Sequence, residues 1–218
     1  MEALILFLVI FIPSFSAVSF GAVNAQADVI SFSILRELSR TLTYTIPALA
    51  LLWYIITDKK GLSAIEPGIP GKRDIRPFLT GFPLLVLIGI VVSFSVRALN
   101  EQRGLYQPPV IEGPGTIIGV FVMIFSSLST GYLEESYFRY YLLTKLEKTL
   151  PNVVLRVLVS TFLFSICHIY DGPWGMINAA MAGILLSALF IRHRSLHGIA
   201  WAHAAYNVFV YTMGIFMS

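Results

Sequence analysis

The chain has 218 residues, of which 56% are hydrophobic and only 12% charged, and its mean hydropathy is +0.78. An ordinary soluble domain carries about 25% charged residues, so this composition excludes a soluble globular protein and identifies an integral membrane protein. The formal net charge of +3 comes from basic residues between apolar runs that form no stripe, so it reads as an orientation signal and leaves no nucleic-acid footprint.

Runs long enough to cross a hydrocarbon core about 30 Å thick, at about 1.5 Å per helical residue, cover residues 3–21, 41–57, 78–96, 115–143, 153–170, 174–191 and 198–217. The predicted fold class is all-α: a polytopic transmembrane helical bundle of about seven membrane-spanning helices, with six to eight as the range. The first run is followed by Ala25-Gln26-Ala27, which resembles a signal-peptide cleavage site, but it is preceded by Glu2 and by no Lys or Arg. That flank argues for a retained span. An eighth or re-entrant helix near residues 28–38 would alter the N-terminal end of this topology.

Lys59, Lys60, Lys72, Arg73 and Arg76 lie in the second connector, Lys145, Lys148 and Arg156 around the fourth, and Arg192 and Arg194 in the sixth. The alternate connectors hold only Arg36, Arg40, Arg97 and Arg103. The positive-inside rule then predicts a multi-pass protein of the cell membrane with a cytoplasmic N-terminus and an outside C-terminus. The second connector, Asp58 to Pro77, is rich in Gly and Pro and reads as a basic cytoplasmic linker, suited to anionic headgroups as well as to setting topology. Gln107 to Gly115, with Pro108, Pro109 and Pro114, separates the first three spans from the last four. This gives residues 1–111 as N-terminal transmembrane helices and linker, and residues 112–218 as the part that holds every polar cluster. The lone Cys167 forms no internal disulfide and says nothing about redox compartment.

Ionisable groups inside spans are costly, about 2.5–3.5 kcal/mol even on the lenient insertion scale, and they mark function by default. Three such clusters stand out: Glu134-Glu135-Ser136-Tyr137-Phe138-Arg139, Phe164-Ser165-Ile166-Cys167-His168 and His203-Ala204-Ala205-Tyr206-Asn207. Glu135 and Arg139, spaced i,i+4, share a helix face and can pair. Glu134 lies about 100° around the helix and is left to act as a base. Glu134 and His168 stand equally far in sequence from Pro151, at the turn Leu150-Pro151-Asn152, so a helical hairpin puts them at one depth, where they can share a water. His203 and Asn207 present two neutral hydrogen-bond groups on one face, as an oxyanion requires. Phe164, one turn before His168, reads as packing against its ring. His193 and His197 fall in the short basic connector Arg192 to His197 and are expected to be solvated. Glu134, His168 and His203 would also suit catalytic zinc, but HExxH is absent and no two of these ligands share a helical turn, so the prediction is no metal and no cofactor.

The three clusters, in this order and on successive membrane helices, resemble the CPBP family, which comprises the glutamate-type CAAX prenyl endopeptidases and bacterial proteins related to bacteriocin immunity and processing. The likeness covers about residues 112–218. It implies a metal-independent intramembrane endopeptidase in which Glu134 and His168 activate water and His203 and Asn207 form the oxyanion site. Arg139 takes the family's arginine position, with Glu135 as its partner. The implied substrate is a membrane-associated or C-terminally anchored protein or peptide, with or without a lipid modification, met within the lipid bilayer. Prenyl proteases of this type have eight helices and a longer chain, and the short sixth connector here implies a smaller opening. Two other classes use the same groups: a non-catalytic bacteriocin-immunity or partner-binding membrane protein, and a proton-coupled transporter. The transporter ranks last because the chain has no inverted repeat and no paired broken helices.

Overall fold

The computed structural model describes residues 2–20, 29–30, 32–58, 68–103 and 110–217. Ala25-Gln26-Ala27, Lys59, Lys60 and Gln107 to Pro109 lie outside them. Among the described residues there are seven helices: α1 (Glu2–Phe20), α2 (34–58), α3 (Lys72–Arg103), α4 (Ile117–Leu146), α5 (Val153–Ile166), α6 (Gly172–His193) and α7 (Leu196–Met217). The only described strands are the parallel pair Val29–Ile30 and Val110–Ile111. Helices α3, α4 and α6 are long and apolar enough to cross a membrane, so the fold is a helical membrane bundle.

The ends of the helices follow from local chemistry. Thr116 caps α4 by accepting from the Gly119 amide at 3.1 Å, and Asn152 caps α5 by accepting from Val154 and Leu155. Among the described residues of the 28–38 region, those from Ile34 onward belong to α2 itself, which Ser33 caps. Within α2 the turns of Thr41–Thr45 widen to π geometry just before Pro47, whose missing amide hydrogen removes an i–4 bond to Thr43. A second π segment, Ser136–Leu143, starts directly after Glu135.

Two expectations need correction. The fifth helix ends at Ile166 and not at 170, so His168 sits in the turn beyond it, with φ −103° and ψ 18°. The cause is the next element: Gly172 adopts φ 75° and Pro173 opens α6, so the chain must leave α5 early enough to reverse. At 14 residues, α5 is about 21 Å long, short of the roughly 30 Å apolar core. The sixth connector is also tighter than Arg192 to His197. Only Arg194, in the left-handed region at φ 49°, and Ser195 lie between α6 and α7.

Packing places the basic connectors together. Glu147 pairs with Arg156 at 3.0 Å and Arg194 at 3.2 Å, tying the connector after α4 to α5 and to the α6–α7 turn. Buried Asp74, near the start of α3, accepts from Ser195 Oγ at 2.6 Å. Glu2 meets Lys145 Nζ at 2.9 Å, so the start of α1 lies at the same end. The core is aromatic where α1 crosses the π segment of α4. Phe7 and Phe11, one turn apart, pack on Tyr137 and Phe138, with Phe11 and Phe138 centroids 4.9 Å apart. Glycine sets the closest helix contacts. A Cβ at Gly131 of α4 would stand 2.9 Å from the Ala200 carbonyl oxygen of α7, and one at Gly198 would stand 2.5 Å from the Asp74 carbonyl oxygen of α3.

Candidate active site

Helix α4 carries Glu134, Glu135 and Arg139 across the junction where α-helical turns give way to π turns, and α7 approaches it along Gly131. Glu135 and Arg139 are both fully buried, and Arg139 Nη1 donates to Glu135 Oε1 at 2.8 Å. Two groups completely removed from water survive only as a hydrogen-bonded pair. The same Glu135 oxygen lies 2.8 Å from His203 Nδ1 on α7. A carboxylate beside Arg139 accepts, so Nδ1 carries the proton and the imidazole is fixed with Nε2 turned the other way. Nε2 lies 3.6 Å from Glu134 Oε2. The two adjacent glutamates thus face opposite edges of one imidazole, Glu135 hydrogen-bonded to it and Glu134 just beyond hydrogen-bond reach.

Glu134 differs from Glu135 in environment. Its side chain keeps 16% of its exposure while that of Glu135 has none. The Oε2 atoms of both lack a hydrogen-bond partner among the described residues, but Glu135 Oε1 is held by Arg139 and His203. Phe164 organises the other side. The Arg139 guanidinium lies over its ring at 4.3 Å, the His168 ring lies tilted against it at 4.8 Å and the His203 ring meets it edge-on at 5.9 Å. Arg139 Nη2 also donates to the Gly183 carbonyl of α6 at 3.4 Å. One aromatic ring therefore contacts a residue from each of the three sequence clusters.

His168 Nδ1 lies 3.0 Å from the Phe164 carbonyl oxygen. A carbonyl only accepts, so Nδ1 donates and Nε2 of the neutral ring is left as an acceptor. Among the described residues no hydrogen bond joins His168 directly to Glu134. Asn207 is half-buried one turn beyond His203 on α7. No three His, Cys, Asp or Glu side chains among the described residues converge as a metal site, so Glu134, His168 and His203 are not arranged as a preformed ligand set.

His197, expected to be solvated, is instead bonded at both ring nitrogens. Nδ1 lies 2.9 Å from Tyr132 Oη and Nε2 3.0 Å from the Gly68 carbonyl oxygen. Trp201 Nε1 donates to the same Tyr132 oxygen at 2.9 Å. The i,i+4 spacing of His197 and Trp201 is visible in the sequence, but nothing there pairs them with Tyr132.

Residues 116–209 match the family model described as Type II CAAX prenyl endopeptidase Rce1-like. The Rce1-like segment holds all three polar clusters and leaves the first three helices outside it. No curated protein and no solved structure matches the chain. The chain is thus a helical membrane protein whose residues 116–209 are similar to an endopeptidase family.

Proposed function

We propose that this protein is an intramembrane endopeptidase in which Glu134 activates water without a metal ion. The observation that carries the reading is the imidazole of His203, gripped at Nδ1 by Glu135 and facing Glu134 at 3.6 Å through Nε2. The charge count supports it. Arg139 offsets Glu135, and one further proton shared between Glu134 and His203 makes the quartet neutral, as a buried site demands.

With that proton on His203, Glu134 is a free carboxylate. It takes a proton from a water that His168 Nε2 also holds, and the hydroxide attacks the scissile carbonyl carbon. The oxyanion that forms takes over from Glu134 as the negative partner of imidazolium His203, with the Asn207 amide as a second donor. Glu134 then passes its proton to the leaving amide nitrogen as the C–N bond breaks. Net charge in the cluster is the same before attack and in the tetrahedral intermediate.

The substrate is a membrane-associated or C-terminally anchored protein or peptide, reached from the bilayer. The clustering of basic connectors with the N-terminus at one end of the bundle supports a cytoplasmic N-terminus, with the cluster facing the cytoplasm. Purified protein incubated with membrane-anchored peptides, including a prenylated CAAX peptide, with and without a zinc chelator, tests the reading. Cleavage that survives chelation is expected. Cleavage abolished by the chelator and restored by zinc would overturn the metal-independent mechanism.

A further inference from the structure

A second polar cluster on the same two helices lies toward the end where the basic connectors meet, and the proposed chemistry does not use it. Tyr132 stands two residues before Glu134 on α4, and His197 and Trp201 stand before His203 on α7. The hydrogen-bond directions here follow from the Gly68 carbonyl, the indole N–H and a neutral His197 ring. The Gly68 carbonyl only accepts, so His197 Nε2 carries a proton. In a neutral ring Nδ1 then accepts from the Tyr132 hydroxyl, and that oxygen in turn accepts from Trp201 Nε1, which can only donate. The chain Trp201 to Tyr132 to His197 to Gly68 is complete, and it runs from the α4–α7 contact to the first described residue of the connector between α2 and α3.

We propose that Tyr132 and His197 are positioning residues: a clamp, closed by a neutral His197 imidazole, that couples the backbone at Gly68, ahead of α3, to the register of α4 against α7, and so to the meeting of Glu134 with His203. Adding a proton at Nδ1 makes His197 a donor at both nitrogens. Two donors, His197 Nδ1 and Trp201 Nε1, then converge on the Tyr132 oxygen, and the phenol hydrogen must turn away from its only acceptor in the chain. The charged groups on α3 around this cluster are Arg73, whose guanidinium closes on Gly68, and Asp74, whose carboxylate is engaged by Ser195 Oγ and the Gly71 amide. Trp201 also lines an open apolar groove with Phe82, Ile124, Leu128 and Phe209, so the indole held by Tyr132 forms part of its wall. The clamp therefore opens when the His197 ring gains a second proton. It ties the position of Gly68, the indole orientation and the α4–α7 register into one element with two states.

The test records the Trp201 indole N–H and His203 ring resonances of the full chain in lipid nanodiscs as pH is lowered, with Trp201 assigned by Trp201→Phe. Wild type is expected to show both moving together in one protonation step. In His197→Asn an amide oxygen stands near the Nδ1 position and accepts no proton, so the step is expected to vanish. In His197→Gln and Tyr132→Phe the Trp201 signal is expected to be displaced at every pH. A Trp201 signal that does not titrate in wild type, or one that titrates equally in His197→Asn, overturns the clamp. A Trp201 signal that moves without His203 overturns the coupling to the site. These signals need no substrate, so absence of cleavage would count against the peptidase reading alone. Where cleavage is measured, wild type should lose roughly tenfold along the same pH step, the scale of a broken hydrogen bond, and His197→Asn should lack that step.

Discussion

Glu135 Oε1 stands 2.8 Å from both Arg139 Nη1 and His203 Nδ1, so one buried carboxylate oxygen joins a guanidinium from its own helix to an imidazole from another. Removing Arg139 leaves Glu135 buried with half its compensation. Arg139→Met is expected to cost about 3–5 kcal/mol of stability, the usual result of breaking a buried pair. Denaturation of the variant in detergent, compared with wild type, measures it, and an unchanged midpoint would contradict the pairing.

Phe164 touches Arg139, His168 and His203 through one ring. Phe164→Leu keeps much of the volume but loses the aromatic face, and with it about 0.5–2 kcal/mol of cation–π attraction. Lower kcat is expected, together with modest destabilisation. A variant with wild-type turnover would show that the ring only fills space.

Gly131 lets α4 and α7 approach so closely that a Cβ would sit 2.9 Å from a backbone oxygen. Gly131→Leu must therefore push α7 away and lengthen the Glu134–His203 and Glu135–His203 contacts. The expected result is loss of cleavage with about 1–3 kcal/mol of destabilisation, the ordinary cost of overpacking. Thermal unfolding and cleavage measured on one preparation read both effects.

Asn207 contributes to the proposed oxyanion site and, among the described residues, to no buried ion pair. Asn207→Ala should lower kcat by about 10²–10³-fold, as removal of one oxyanion donor does, with KM and melting temperature close to wild type. Equal losses in stability and activity would instead make it a packing residue.

The helical membrane fold was legible because hydrocarbon imposes a single length and polarity rule on every span. The i,i+4 pairing of Glu135 with Arg139 was legible because helix geometry alone sets it. Contacts between helices were not. That Glu135 also holds His203 depends on α7 approaching along Gly131, a tertiary fact with no local signal. The position of His168 was misjudged because the hairpin count assumed a helix to 170, whereas Gly172 and Pro173 force the chain to turn after Ile166. His197 looked solvated because it stands next to basic residues, and its partners Tyr132 and Gly68 lie 65 and 129 residues away.

The central claim, that Glu134 is the base, is tested most directly by comparing cleavage rates of wild type and Glu134→Gln on a substrate that the wild type cuts. The glutamine keeps size and polarity but takes no proton. The account predicts a loss of about 10²–10⁴-fold in kcat with an unchanged melting temperature. A Glu134→Gln variant that cleaves at the wild-type rate would contradict it.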